Sequence, residues 1–406
     1  MFTLLKRYPL AVNLLLASSF VLTLARAISL PFLVVYLSSS FGLGITAIGA
    51  VIGGALVGGS LLSLYGGYLT DRCSNYTLIL CYATLFVAGF CGMCLTGDIR
   101  VFFIFLVAFN FAYAVMDVVV KASFGRLLSP GEQGRVFSVR YTLINMGYAI
   151  GPFFGAWLAQ AHLKLPFIVS AVLGLAFLVV YARWGERHGK PVAAAGAPSF
   201  LAVGRVLLTD RRLVCFTVGG LLSAVVFGQF TAWLSEYLVS TQSAEAAYPV
   251  ISTLVAVNAM VVICLQYAIA RHITPERLQA WLMAGLSLFL VGVAGFAFAD
   301  SLWHWALAMA VFTLGEIIVF PAEYMFIDRI APHHLRGMYY GAQNLANLGA
   351  ALGPVLCGWV LGAAPASWMF LMLGSFIVAG GVAYRTGARL MPPGCPPTPH
   401  SPASPG

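Results

Sequence analysis

Long stretches of this chain run without a single charge. Val101–Met116 and Trp281–Ala299 are apolar almost from end to end. A membrane-spanning helix needs about 20 mostly apolar residues, and runs of this kind recur along the whole 406-residue chain. Only 9% of the residues are charged and 61% are hydrophobic, whereas an average soluble domain carries about 25% charged residues. Such a chain cannot clothe a water-facing surface, and disorder requires the opposite balance. A β-barrel requires strict apolar–polar alternation in segments of about ten residues, which continuous runs exclude. The sequence therefore describes an all-α membrane protein.

Candidate spans cover 10–36, 45–69, 76–95, 101–124, 137–160, 166–184, 213–238, 248–270, 278–299, 304–327, 338–362 and 366–384. Twelve transmembrane helices fall into two six-helix halves, an N-terminal bundle over 1–184 and a C-terminal bundle over 213–390. Between them, 185–212 reads as a cytoplasmic linker with a Pro/Ala/Gly-rich stretch and Arg187, Lys190, Arg205, Arg211 and Arg212. The Pro- and Ser-rich tail 391–406 reads as disordered. Lys6 and Arg7 precede a hydrophobic run too long for a signal peptide, which reads as the first span. With both termini in the cytoplasm, seventeen Lys and Arg fall in cytoplasmic segments and two, Arg100 and Lys164, outside, as the positive-inside rule requires. Trp303 and Trp305 read as interfacial belt residues.

The halves are related in sequence. Pro130–Pro152 aligns with Pro332–Pro354 without a gap at a shift of 202 residues, which superposes Asn145 on Asn347, Gly147 on Gly349, Gly151 on Gly353 and Pro152 on Pro354. Two halves repeated in the same orientation place a substrate site near mid-membrane between them.

Six charged residues fall inside spans at least three residues from either end: Arg26, Asp117, Lys121, Arg140, Glu316 and Glu323. Left unpaired, they would cost roughly 15–20 kcal/mol on insertion scales, more than the typical folding stability of about 5–15 kcal/mol. They must pair, line water, or both. Asp117 and Lys121 are four residues apart and share a helix face with Asn110. Glu316 and Glu323 share a face of span ten, and the repeat shift carries Lys121 onto Glu323.

Two further constellations concern conformation. Gly67-Tyr-Leu-Thr-Asp71-Arg72 occupies the tight loop after span two, where an acidic–basic pair can bond across to helix ends. In span five, Gly147, Gly151, Pro152 and Gly155 let helices approach closely and bend. Placed in a six-plus-six chain, these residues resemble the motifs of the major facilitator superfamily. The loop is similar to its G-x-x-x-D-R-x-G-R motif, with Ser74 and Asn75 where that motif has Gly and Arg. Span five is similar to the antiporter motif of proton-coupled drug exporters, while the Arg that many of them carry in span four is replaced in the run around Asn110. Further likeness to the YdeE-type efflux transporters of enteric bacteria, a group associated with dipeptide and drug export, shows in Ala25–Ser38, Phe137–Pro152, Val257–Arg271 and Ala310–Pro332.

The resemblance implies a secondary transporter of the bacterial inner membrane that exports small molecules in exchange for protons by alternating access. Spans one, four, seven and ten line the cavity in that superfamily, so Arg26, Asn110, Asp117, Lys121, Arg140, Gln229, Glu316 and Glu323 are the expected substrate and proton residues. Gly67, Asp71, Arg72, Gly147, Gly151, Pro152, Gly155, Gly349, Gly353 and Pro354 are the expected conformational ones. Glu316 or Asp117 would bind the proton, with Arg26 tuning it. The balanced charges suit a zwitterion such as a short peptide; aromatic walls would suit a lipophilic drug. The expected partners are a small-molecule substrate, protons and the lipid bilayer, with one chain sufficing as a monomer and no nucleic acid. No cofactor or metal is expected: the seven His lie in loops or at span ends, and no phosphate loop or nucleophile elbow occurs. The eight Cys lie in apolar runs or beside basic loops, and Cys91-x-x-Cys94 sits inside an apolar helix, so no disulfide framework is read. The rival readings are an importer of a sugar or metabolite on the same fold and, from another class, a membrane receptor or enzyme.

Overall fold

The computed structural model describes residues 8–187, 199–242 and 244–390, and among them every regular element is helical. In chain order the α-helices are α1 (Leu10–Phe41), α2 (Ile45–Thr70), α3 (Asn75–Leu95), α4 (Ile99–Leu127), α5 (Pro130–Ala161), α6 (Leu165–Trp184), α7 (Phe200–Thr209), α8 (Arg211–Phe227), α9 (Phe230–Thr241), α10 (Ala244–Ala270), α11 (Leu278–Ala297), α12 (Leu302–Ile330), α13 (Arg336–Gln343), α14 (Asn347–Ala363) and α15 (Ser367–Arg389). Local chemistry sets several ends. Ser129 and Glu132 form a reciprocal capping box at the start of α5, satisfying donors that the first turn cannot. Asp98 and Asp210 cap α4 and α8. Gly42 ends α1 at φ 65°, a left-handed cap that favours glycine.

Ten helices are long and apolar enough to cross a membrane, counting α13 and α14 as one continuous rod. The pair α8 and α9, bent by 44° at Gly228–Gln229, makes an eleventh when taken together. The remaining expected span is α5. It has ample length, 32 residues, but Glu132, Arg135 and Arg140, together with Asn145, Tyr148 and Gln160, dilute its apolar character.

Small residues set the closest helix contacts. Gly147, Gly151 and Gly155 bring α5 against α1 at Thr23, Ala27 and the carbonyl of Ile28. Gly349 and Gly353 bring α14 against the α8 carbonyls of Leu221 and Val225. These are the positions that the 202-residue shift superposes, so the repeat reproduces a packing device. Pro152 and Pro354 lie inside α5 and α14. Contacts between α1–α6 and the helices after residue 210 run mainly through α2 and α4 against α13, and through α5 against α10 and α12.

Within 185–212, residues 200–209 form α7, with Val203 and Leu207 buried and Phe200 seated edge-on against Tyr65 and Tyr68 of α2, 5.5 Å from each ring. The remainder of that segment over 188–198, the tail 391–406 and the basic pair Lys6 and Arg7 lie outside the described residues. One belt residue is corrected. Trp303 is exposed, but Trp305 is buried among Tyr237 and Phe296, because residues two apart on a helix point in well-separated directions.

Candidate functional site

Asp117 on α4 is the hub of the buried charges. Lys121, one turn along the same helix, places Nζ 2.8 Å from its carboxylate. Arg140 of α5 donates to the other oxygen and, through Nε, to Ser19 Oγ of α1 at 3.1 Å. Lys121 also donates to Gln343 Oε1 at 3.3 Å and Asn344 Oδ1 at 2.7 Å, both beyond α12 in sequence, and lies over the Tyr324 ring. One carboxylate thus neutralises one of two buried cations, and amide dipoles from the second set of helices serve the other. A pocket beside this cluster is lined by Ser18, Thr23, Tyr113, Asp117 and Arg140, among others.

The remaining three charges have no ion pair within 4 Å among the described residues. Glu316 accepts from the Tyr141 hydroxyl of α5 and from Asn258 Nδ2 of α10 at 2.7 Å. Glu323 is buried close to Gln343, and one of its carboxylate oxygens lacks a hydrogen-bond partner. Arg26 stacks on the Tyr113 ring at 4.6 Å, and its Nε is buried without a partner. Of the two carboxylates that Arg26 was expected to tune, it lies on the side of Asp117, against Tyr113 of α4, whereas Glu316 sits with α5 and α10. Two further expected residues stay apart from this cluster. Asn110 returns its amide to the Leu106 carbonyl of its own helix and packs at Gly59 of α2. Gln229 is exposed at the α8–α9 bend.

The loop residues join a second site. The Asp71 carboxylate accepts the backbone N–H of Gly337 at 2.7 Å and of Met338 at 2.9 Å, at the start of α13. Free N–H groups and the helix dipole make that end a natural anion seat. Gly67 and Gly337 bring the two backbones together. Burial raises the Asp71 carboxyl to about 6, although both N–H donors and Arg126 oppose the shift. Arg126 reaches Asp71 at 3.4 Å and Asn75 at 3.3 Å, so it supplies a basic contact beside the position where the motif's own Arg is replaced. Arg72 lies over the Tyr68 ring at 4.2 Å.

Sequence reasoning missed the counterpart of this contact. Asp328, near the end of α12, binds Arg336 at 3.1 Å and Gln133 Nε2 at 2.9 Å, while Arg336 donates to the Gly125 carbonyl at 2.5 Å. The signal was present, since the 202-residue shift carries Arg126 onto Asp328. Tyr339 was also missed. It donates to Asp210 at 2.5 Å, tying the end of α7 to α13. Burial pushes Asp210 up, but Tyr339 and Arg212 hold it below the ordinary carboxylate value.

Residues 15–348 match the Major Facilitator Superfamily. The chain is 36% identical over 383 residues to the MFS-type transporter YdeE of Escherichia coli strain K12, spanning 94% of this chain and 96% of the relative. It is 25% identical to the multidrug resistance protein MdtH of Cronobacter sakazakii, over 86% of each chain. Among solved structures, the transporter FucP in its outward conformation superposes with a TM-score of 0.74 at 14% identity, over 93% of this chain and 98% of that one, which is a likeness of fold.

Proposed function

The chain belongs to the major facilitator superfamily and is a secondary transporter rather than an enzyme; from that premise we propose that it exports small molecules across the bacterial inner membrane in exchange for protons. In this reading 1–184 and 213–390 are the two rocking halves, both termini are cytoplasmic, and Glu316 carries the proton. The observation that carries it is the setting of Glu316: a buried carboxyl held only by neutral donors, Tyr141 from α5 and Asn258 from α10. Protonating Asp117 would leave Lys121 and Arg140 buried without a counter-charge, whereas protonating Glu316 strands no cation. Its two donors come from α5 and α10, one from each proposed half, so a change in its protonation is felt across the line along which those halves would part. Each charge moved through 100 mV is worth about 2.3 kcal/mol, enough to drive uphill export. Export is favoured over import by the likeness to the multidrug relative, and the chemistry of the substrate is dipeptide-like or drug-like.

The test uses the full chain in proteoliposomes with an imposed proton gradient and a fluorescent substrate. The expected outcome is that Glu316→Gln reduces proton-driven flux by tenfold or more while substrate–substrate exchange persists. Undiminished proton-driven flux in Glu316→Gln would move the proton elsewhere, and uptake in place of efflux would reverse the direction.

A further inference from the structure

We propose that Arg26 receives a carboxylate of the transported solute, so that this protein selects compounds bearing a carboxylate over neutral or cationic ones of the same size; the inference rests on the transport reading above. Of the three cations expected in the cavity, two are committed. Lys121 is held by Asp117, Gln343 and Asn344, and Arg140 by Asp117 and Ser19. Arg26 is not. No carboxylate among the described residues lies within 4 Å of it, and its Nε is buried with no acceptor.

A desolvated donor without a partner is unfavourable, the more so when charged, and such a group persists where something else supplies the acceptor. The surroundings suit an anion. The guanidinium carbon lies 4.6 Å from the centre of the Tyr113 ring, whose hydroxyl is fixed at 3.0 Å from the Thr23 hydroxyl, one turn before Arg26 on α1. Thr23 and Tyr113 both line the pocket that reaches Asp117 and Arg140. Arg26, Lys121 and Arg140 outnumber Asp117 and Glu323, the carboxylates beside them, by one charge. A guanidinium carries its donors in a planar fork, which matches a carboxylate with two parallel hydrogen bonds. Glu316 is held by Tyr141 and Asn258, and Glu323 lies beside Gln343 and Lys121, so neither draws on Arg26.

The experiment measures binding to the purified full-length protein of three probes: L-alanyl-L-phenylalanine, its C-terminal amide, and tetraphenylphosphonium. Wild type is expected to bind the free acid at least tenfold more tightly than the amide. Arg26→Gln should abolish that ratio by weakening the acid alone, and Arg26→Lys should restore part of it. The melting temperature of Arg26→Gln should not fall, because the side chain has no internal counter-ion to strand; a purely structural role would lower it. Equal binding of acid and amide by wild type, binding of neither, or an acid preference that survives Arg26→Gln overturns the proposal. Should Arg26→Gln fail to fold, the acid–amide ratio in wild type and in Arg26→Lys still decides. Proton-linked flux of tetraphenylphosphonium without any acid preference would defeat the Arg26 assignment alone, whereas no proton-linked flux of any probe would defeat the transport reading.

Discussion

At the scale of single residues, what matters is which buried charges are compensated within the protein. Among the described residues, Asp117 is the sole carboxylate in ion-pair contact with Lys121 and Arg140. Replacing it by Asn leaves both cations buried with no counter-charge, a change that typically costs about 3–5 kcal/mol. Asp117→Asn should therefore lower the melting temperature markedly in detergent, with flux falling because folded protein is lost. A melting temperature equal to wild type would show that the two cations find other partners. The pairing of Asp117 with Lys121 was legible in the sequence because four residues make one helical turn. Its bond to Arg140 was not, because that contact joins two helices and depends on their relative rotation. The same limit explains Arg26 and Glu316: both were singled out by their rarity in apolar runs, but composition carries no information about which neighbouring helix each one faces.

At the scale of helices, the close approach of α2 to α13 depends on glycine at both sides. A Cβ at Gly67 would meet the backbone of Gly337 at 2.5 Å and Met338 at 3.2 Å, and backbone cannot swing aside as a flexible side chain can. Gly67→Val should push the two helices apart and release Asp71 from its seat. Spin labels at Ser74 and His334 should report a longer distance than in wild type; an unchanged distance would mean that the helices slide to absorb the added bulk. The helices themselves were legible from hydropathy, and the Gly spacing of α5 and α14 from the repeat. Helix α7 was not, because the Pro/Ala/Gly-rich stretch before it dominated the reading of 185–212. Its own signal was there in the spacing of Phe200, Val203 and Leu207, three and four residues apart, with Arg205 between.

At the scale of the whole molecule, the bonds of Asp71, Asp328 and Asp210 all join α13 to elements on the same side of the bundle. In the transport reading that side is the cytoplasmic one, closed in this conformation. Its stability then depends on pH through Asp71. Docked, this carboxyl sits at about 6; freed into water it returns to the ordinary value of about 3.9. The docked state therefore binds the proton more tightly. The extra stability this confers is fully present below the lower value and is lost as pH rises through about 6. Distance measurements across the α2–α13 contact should show the closed population increasing as pH is lowered from 7 to 5, with the trend removed in Asp71→Asn. A closed population that falls on acidification would mean that the two N–H donors outweigh burial.

The seat of Asp71 has one property that side-chain contacts lack. Its donors are main-chain amides, which every residue except proline possesses. A new side chain at position 338 must still fit a buried site, but it leaves the N–H donor in place, whereas an apolar side chain at position 71 removes the acceptor. The contact is thus inherited unequally: one partner is a single carboxylate, the other a pair of main-chain amides, at Gly337 and Met338, of which a proline removes only one at a time.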